Sequence, residues 1–122
     1  MPKEVFLKSQ CDISDGKCII NEDSLNLELN LNPIPLNPNK HFTFKTKFSS
    51  LNIDNIEAKL IGLSFQHAPV DLPLKRKAAN EYESKTLFPI CTEKKMKWRI
   101  HLIIYSAGKK YKTNLDFEVE RV

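Results

Sequence analysis

Met96-Lys97-Trp98-Arg99-Ile100-His101-Leu102-Ile103-Ile104-Tyr105, the connection Ser106-Ala107-Gly108-Lys109, and the run Tyr111-Lys112-Thr113-Asn114-Leu115-Asp116-Phe117-Glu118-Val119-Glu120 together decide the fold. Apolar side chains at 96, 98, 100, 102 and 104 alternate with Lys97, Arg99, His101, Ile103 and Tyr105. The second run repeats the alternation, with Tyr111, Thr113, Leu115, Phe117 and Val119 on one side. A period of two is the signature of a strand that buries one face. Gly108 supplies the positive backbone torsion that a tight hairpin needs, so the two runs read as one long hairpin.

The same period spreads outward from that hairpin. Phe42, Phe44 and Phe48 share a face, with Thr43, Lys45 and Lys47 opposite. Leu25, Leu27, Leu29 and Leu31 alternate with Asn26, Glu28, Asn30 and Asn32, which would place Asn all around a helix and so argues for a strand. Asn32-Pro33 and Asn37-Pro38 end it, because proline donates nothing to a ladder. Residues 56–65 read as a further strand, Pro69 and Pro73 bracket a short extended piece, and 80–87 make a more polar strand. With a short strand around Cys18 to Ile20, about seven antiparallel strands are expected. That number, with regular turn signals, predicts an all-β, immunoglobulin-like β-sandwich. The expected core includes Trp98, Phe42, Phe44, Leu102 and Phe117. One domain over residues 1–122 is expected, with residues 1–16 as a loose N-terminal segment.

Composition narrows the function classes. The chain has 122 residues, 41% hydrophobic and 28% charged, with a formal net charge of +4. Such a length suffices for a real core. The basic clusters Lys75-Arg76-Lys77, Lys94 to Arg99 and Lys109 to Lys112 fall at expected turns or outward faces and are diluted by Glu81, Glu83 and Glu93. A nucleic-acid partner is therefore not expected. No apolar run reaches the length of a membrane-spanning helix. Phosphate loops, paired catalytic carboxylates and metalloprotease or hydrolase motifs are missing from the sequence, so neither enzyme activity nor a small-molecule substrate is expected.

The remaining candidates are histidines and cysteines. His41 and His101 read as solvated. His67 lies in the loop Phe65-Gln66-His67-Ala68-Pro69, at an expected tip of the sandwich. Partnered by Met96 or a cysteine thiolate, it offers the soft donors that suit Cu(I). Cys11, Cys18 and Cys91 form an odd set, which allows one disulfide and a leftover thiol, or three reduced thiols. Cys11–Cys18 is favoured, closing a short loop through Asp15-Gly16, with Cys91 as the alternative partner. The N-terminus lacks the apolar centre of a secretory leader. That fits either a cytoplasmic protein or a secreted one whose leader has been removed.

Several stretches together resemble a group of small uncharacterised proteobacterial periplasmic proteins with an immunoglobulin-like sandwich. They are Cys11 to Cys18, Pro33-Ile34-Pro35-Leu36, Ile61-Gly62-Leu63 with its loop, and Leu87-Phe88-Pro89-Ile90-Cys91 followed by Met96-Lys97-Trp98. More distantly, the pattern is similar to FixH- and YtkA-type domains. The resemblance implies a periplasmic or secreted location after leader removal, and a non-catalytic accessory role. The expected partner is another protein, met at a membrane face. Its alternative implication is copper handling in oxidase assembly. The matching loop of that group tends to carry methionine, where this chain has Phe65-Gln66-His67.

Overall fold

The computed structural model describes residues 3–7, 16–22, 25–34, 36–37, 40–49, 53–64, 68–88 and 94–120. Among them the chain forms ten strands: β1 (Lys3–Leu7), β2 (Lys17–Glu22), β3 (Leu25–Asn32), β4 (His41–Ser49), β5 (Asn55–Gly62), β6 (Val70–Leu72), β7 (Lys75–Ala78), β8 (Glu81–Leu87), β9 (Lys95–Ser106) and β10 (Lys109–Glu120). They make two five-stranded sheets, in the orders β1-β10-β9-β5-β6 and β2-β3-β4-β8-β7. The fold is an all-β sandwich.

The hairpin β9–β10 is the longest ladder, running in register from Ser106↔Lys109 to Lys95↔Glu120. Its loop is the two residues Ala107 and Gly108, with φ of 50° and 75°. Two successive positive torsions twist the backbone the way the flanking strands twist, which keeps them paired. Ala107 adopts this conformation against its own preference. Its N–H donates to Asp54 Oδ2 at 3.1 Å, and the Asp54 N–H donates to the Tyr105 carbonyl at 2.8 Å. The turn is thus fastened to the entrance of β5.

Alternation places the inward rows of the two sheets against each other. Met96, Trp98, Ile100, Leu102 and Ile104 of β9 are buried, as are Leu115, Phe117 and Val119 of β10. Opposite them lie Leu25, Leu27, Leu29 and Leu31 of β3, and Phe42, Phe44 and Phe48 of β4. Aromatic rings join the layers at one end. Phe88, just past β8, stacks on Phe42 with ring centroids 4.3 Å apart and meets Trp98 at 5.7 Å and Phe117 at 6.2 Å. Burying each such large side chain is worth roughly 1.5–3 kcal/mol, so this contact between layers weighs heavily in holding the sheets together.

Three features depart from the sequence expectations. The described residues hold ten strands rather than about seven. Residues 3–7, expected within a loose segment, form β1, which runs parallel to β10 from Lys3↔Lys109 to Leu7↔Thr113. Its alternation turns Leu7 inward, and the buried Thr113 hydroxyl donates to the Leu7 carbonyl at 2.9 Å. On the outer side, Glu4 reaches Lys112 at 3.2 Å and Lys110 at 3.8 Å. The basic run Lys75-Arg76-Lys77, expected as a turn, is strand β7, hydrogen-bonded to β8 through a bulge between Arg76 and Ala78.

Candidate functional site

Each sheet ends in two edge strands, and an edge presents unpaired N–H and C=O groups that another strand can complete. The four edges differ in how they are guarded. β6 is three residues long. β7 is exposed along its whole length and carries Lys75, Arg76 and Lys77. Its bulge twists the ladder, and Arg76 folds back to donate from its guanidinium to the carbonyls of Ala78 and Ala79, at 3.3 Å and 3.1 Å. β1 is five residues long and shows Glu4 and Phe6 to solvent.

β2 is the longest of the four edge strands. Its six residues pair with β3 on one side, from Lys17↔Asn30 to Glu22↔Leu25. The Leu31 N–H donates to the Gly16 carbonyl at 2.8 Å, which makes Gly16↔Leu31 a hydrogen-bonded pair. In an antiparallel ladder such pairs alternate with non-bonded ones, so Cys18 and Ile20 turn their backbone groups toward β3. Ile19 and Asn21 turn theirs away from it. The Ile19 side chain also stands on the outer face of the sheet, 56% exposed. An outward backbone position coincides here with an exposed apolar side chain.

The start of β2 is set by Gly16, at φ 84°. A Cβ there would lie 2.7 Å from the Leu31 carbonyl oxygen and 2.8 Å from Ile34 Cγ1. Only glycine lets the chain approach β3 this closely in that conformation. Beneath the edge, Cys18 and Ile20 are buried and anchor β2 to the core.

The surface beside Ile19 is polar. Lys17 Nζ lies 3.1 Å from Glu28 Oε1. The hydrogen bond from Lys17, opposed by partial burial and helped by the Lys17 charge, Asn30 and Lys47, holds the Glu28 carboxyl below its ordinary pKa. A depression of about 170 Å³ adjoins Ile19, with Asn26, Glu28 and Lys47 in its wall. A second, of about 250 Å³, crosses the middle of the sheet and is lined by alternating charges that include Lys45, Lys47, Lys77, Glu28, Glu81 and Glu83. Lys47 lies 3.6 Å from Glu81 across it. The signs nearly cancel, so this face attracts neither a strong anion nor a strong cation.

The residues singled out from sequence fall in different places. Trp98, Phe42, Phe44, Leu102 and Phe117 are buried between the sheets. Met96 is 0% exposed in the inward row of β9, so its thioether faces the core. His67 lies outside the described residues. His41 is exposed at the start of β4, and His101 sits on the outer face of β9, where Nδ1 is 2.6 Å from Asn114 Oδ1. The residues described here thus put Met96 and these two histidines on opposite faces of their sheets. No group of three or more His, Cys, Asp or Glu that could hold a metal occurs among the described residues. Of the copper donor set, Met96 is thus buried in the core, and His67 lies outside the described residues. Cys18 is buried and disulfide-bonded. Cys11 and Cys91 lie outside the described residues, and the choice between them with them.

Sequence reasoning found the strand β2 but not its standing as an edge. The alternation of Cys18 and Ile20 with Ile19 is legible, whereas the neighbours of a strand follow from topology.

No protein-family model matches the chain. No curated protein matches it either. Among solved structures it is similar to a DUF4785 family protein from Legionella pneumophila, with a TM-score of 0.59 and 12% sequence identity. The match covers 80% of this chain and 28% of that one, so the sandwich corresponds to about a quarter of the larger protein. At this identity the likeness concerns the fold alone.

Proposed function

We propose that this chain is a non-catalytic protein-binding module that recruits partners by adding a strand to the open edge of β2. The observation that carries this reading is the coincidence, at Ile19, of an outward backbone position with an apolar side chain 56% exposed. Main-chain bonds to an added strand give affinity, and the exposed side chain gives register. The three other edge strands are shorter, and β7 is also charged and bulged, as edges that avoid pairing commonly are.

The resemblance to small periplasmic sandwich proteins supports a place outside the cytoplasm, with a partner at a membrane face. The bonded state of Cys18 agrees with an oxidising compartment. Cys11 is the partner we assign to it, and Cys91 is then the leftover thiol. Thiol counting on unreduced, denatured protein should return one free group, and blocking followed by peptide mapping should place it at Cys91.

The test of the binding role is selection of extended peptides from a display library, with the wild type and Ile19→Pro read side by side. Proline removes an outward N–H and leaves the β2–β3 ladder intact, since the amide of residue 19 does not donate to β3. Enriched peptides should bind Ile19→Pro about tenfold more weakly or worse, the loss of roughly 1.4 kcal/mol or more. Peptides that bind both forms equally, or no enrichment at all, would defeat the reading.

A further inference from the structure

We infer that the strand added to β2 is the β2 of a second copy of this chain, giving a weak two-fold dimer with one continuous ten-stranded sheet. This rests on the edge reading above and names its occupant. A two-fold axis perpendicular to the sheet keeps inward residues inward only if opposed residues differ by an even number, because faces alternate along a strand. Centring the axis on Ile19 satisfies this. Ile19 then meets its own copy at a hydrogen-bonded pair, covering the most exposed apolar side chain of β2 with an identical one. On the inner face Cys18 meets Ile20 of the other copy, so the apolar interior runs on across the junction.

Charge decides between the edges. In this register the Lys17 ammonium, with Glu28 beside it at 3.1 Å, stands across from Asn21 of the second copy, and no like charges oppose one another on the outer row. Self-pairing of β7 would set Lys75, Arg76 and Lys77 against the same three cations, which is destabilising. β6 is too short to form more than a fragment of a ladder. Among the described edges, β2 is thus compatible with itself where β7 is not. The six-residue strand makes a small junction, and the net charge of +4 opposes association, so the dimer belongs to the weak, reversible class.

Sedimentation equilibrium on the full chain tests this, over about 10 µM to 1 mM as suits a small, transient interface. The wild type should show a monomer–dimer equilibrium within that range. Ile19→Pro should be monomeric throughout. Asn21→Glu places two symmetric ion pairs with Lys17 across the junction and should tighten the dimer about tenfold, while Asn21→Lys should abolish it. Phe6→Lys, on the β1 edge, should change nothing. Circular dichroism melts of each variant establish that the sheet is retained. A wild type that stays monomeric to 1 mM overturns the inference, as does a dimer indifferent to Ile19→Pro and to both Asn21 variants. If the dimer is absent but selected peptides still lose affinity for Ile19→Pro, the second-copy inference falls and the binding role stands. Loss of both results removes both.

Discussion

β2 and β7 close the same sheet from opposite sides, yet they are built on opposite plans. β2 sends Cys18 and Ile20 into the core and shows Ile19 to solvent. β7 buries no side chain, shows Lys75, Arg76 and Lys77, and is bent by a bulge. β2 is held from below by burial and, among the described residues, left open sideways. Among the described residues β7 is held by its ladder to β8 and by Arg76 folding back on the turn, and it is closed sideways by charge. An edge can therefore be stable without being protected, and protected without being packed.

The largest effect should come from removing what both edges share. Phe44 lies in the middle strand β4, fully buried. Phe44→Ala should cost about 3–5 kcal/mol in urea unfolding, loosening both sides of the sheet together. If amides of β7 kept their protection from exchange while those of β2 lost it, the shared support assumed here would be refuted.

Gly16→Ala should separate the two edges. The new Cβ meets a backbone oxygen at 2.7 Å in a conformation that side chains resist. A cost of about 2 kcal/mol is expected, with lost exchange protection confined to β2 and the facing part of β3. An unchanged midpoint would show that β2 does not need this approach to β3.

Arg76→Ala tests the other plan. It removes two exposed hydrogen bonds, to the carbonyls of Ala78 and Ala79. Stability should fall by only about 0.5–1 kcal/mol, and the β7 amides should exchange faster while those of β2 do not.

Lys17→Met should have the smallest effect. The Glu28 carboxyl is held below its ordinary pKa chiefly by the hydrogen bond from Lys17. A depressed carboxyl contributes stability above its unfolded pKa and loses it as the pH falls through the folded value. The variant should move the Glu28 titration upward in an NMR pH series and remove its share of the acid dependence. A titration that stays in place would assign the shift to Asn30 and Lys47 instead.

Legibility in the sequence followed burial. β3, β4, β9 and β10 declare themselves because each buries every second side chain, and the Ala107-Gly108 turn joins the last two as expected. β7 leaves no such trace. Its four exposed side chains carry no alternation, since nothing distinguishes its inner face from its outer one. β1 escaped notice because five residues give barely two periods, and because its parallel partner is about a hundred residues away in the chain. The site was half legible. Ile19 as an exposed residue follows from the alternation around it, but an open flank depends on which strands stand next to β2.

The two halves of β10's hydrogen-bonding capacity are filled at very different cost. Toward β9, twelve register pairs close through a two-residue loop, so little chain entropy is lost before contacts accumulate. Toward β1, five pairs require nearly the whole polypeptide to be gathered first. On loop-closure grounds the hairpin is expected to form early and β1 to dock late.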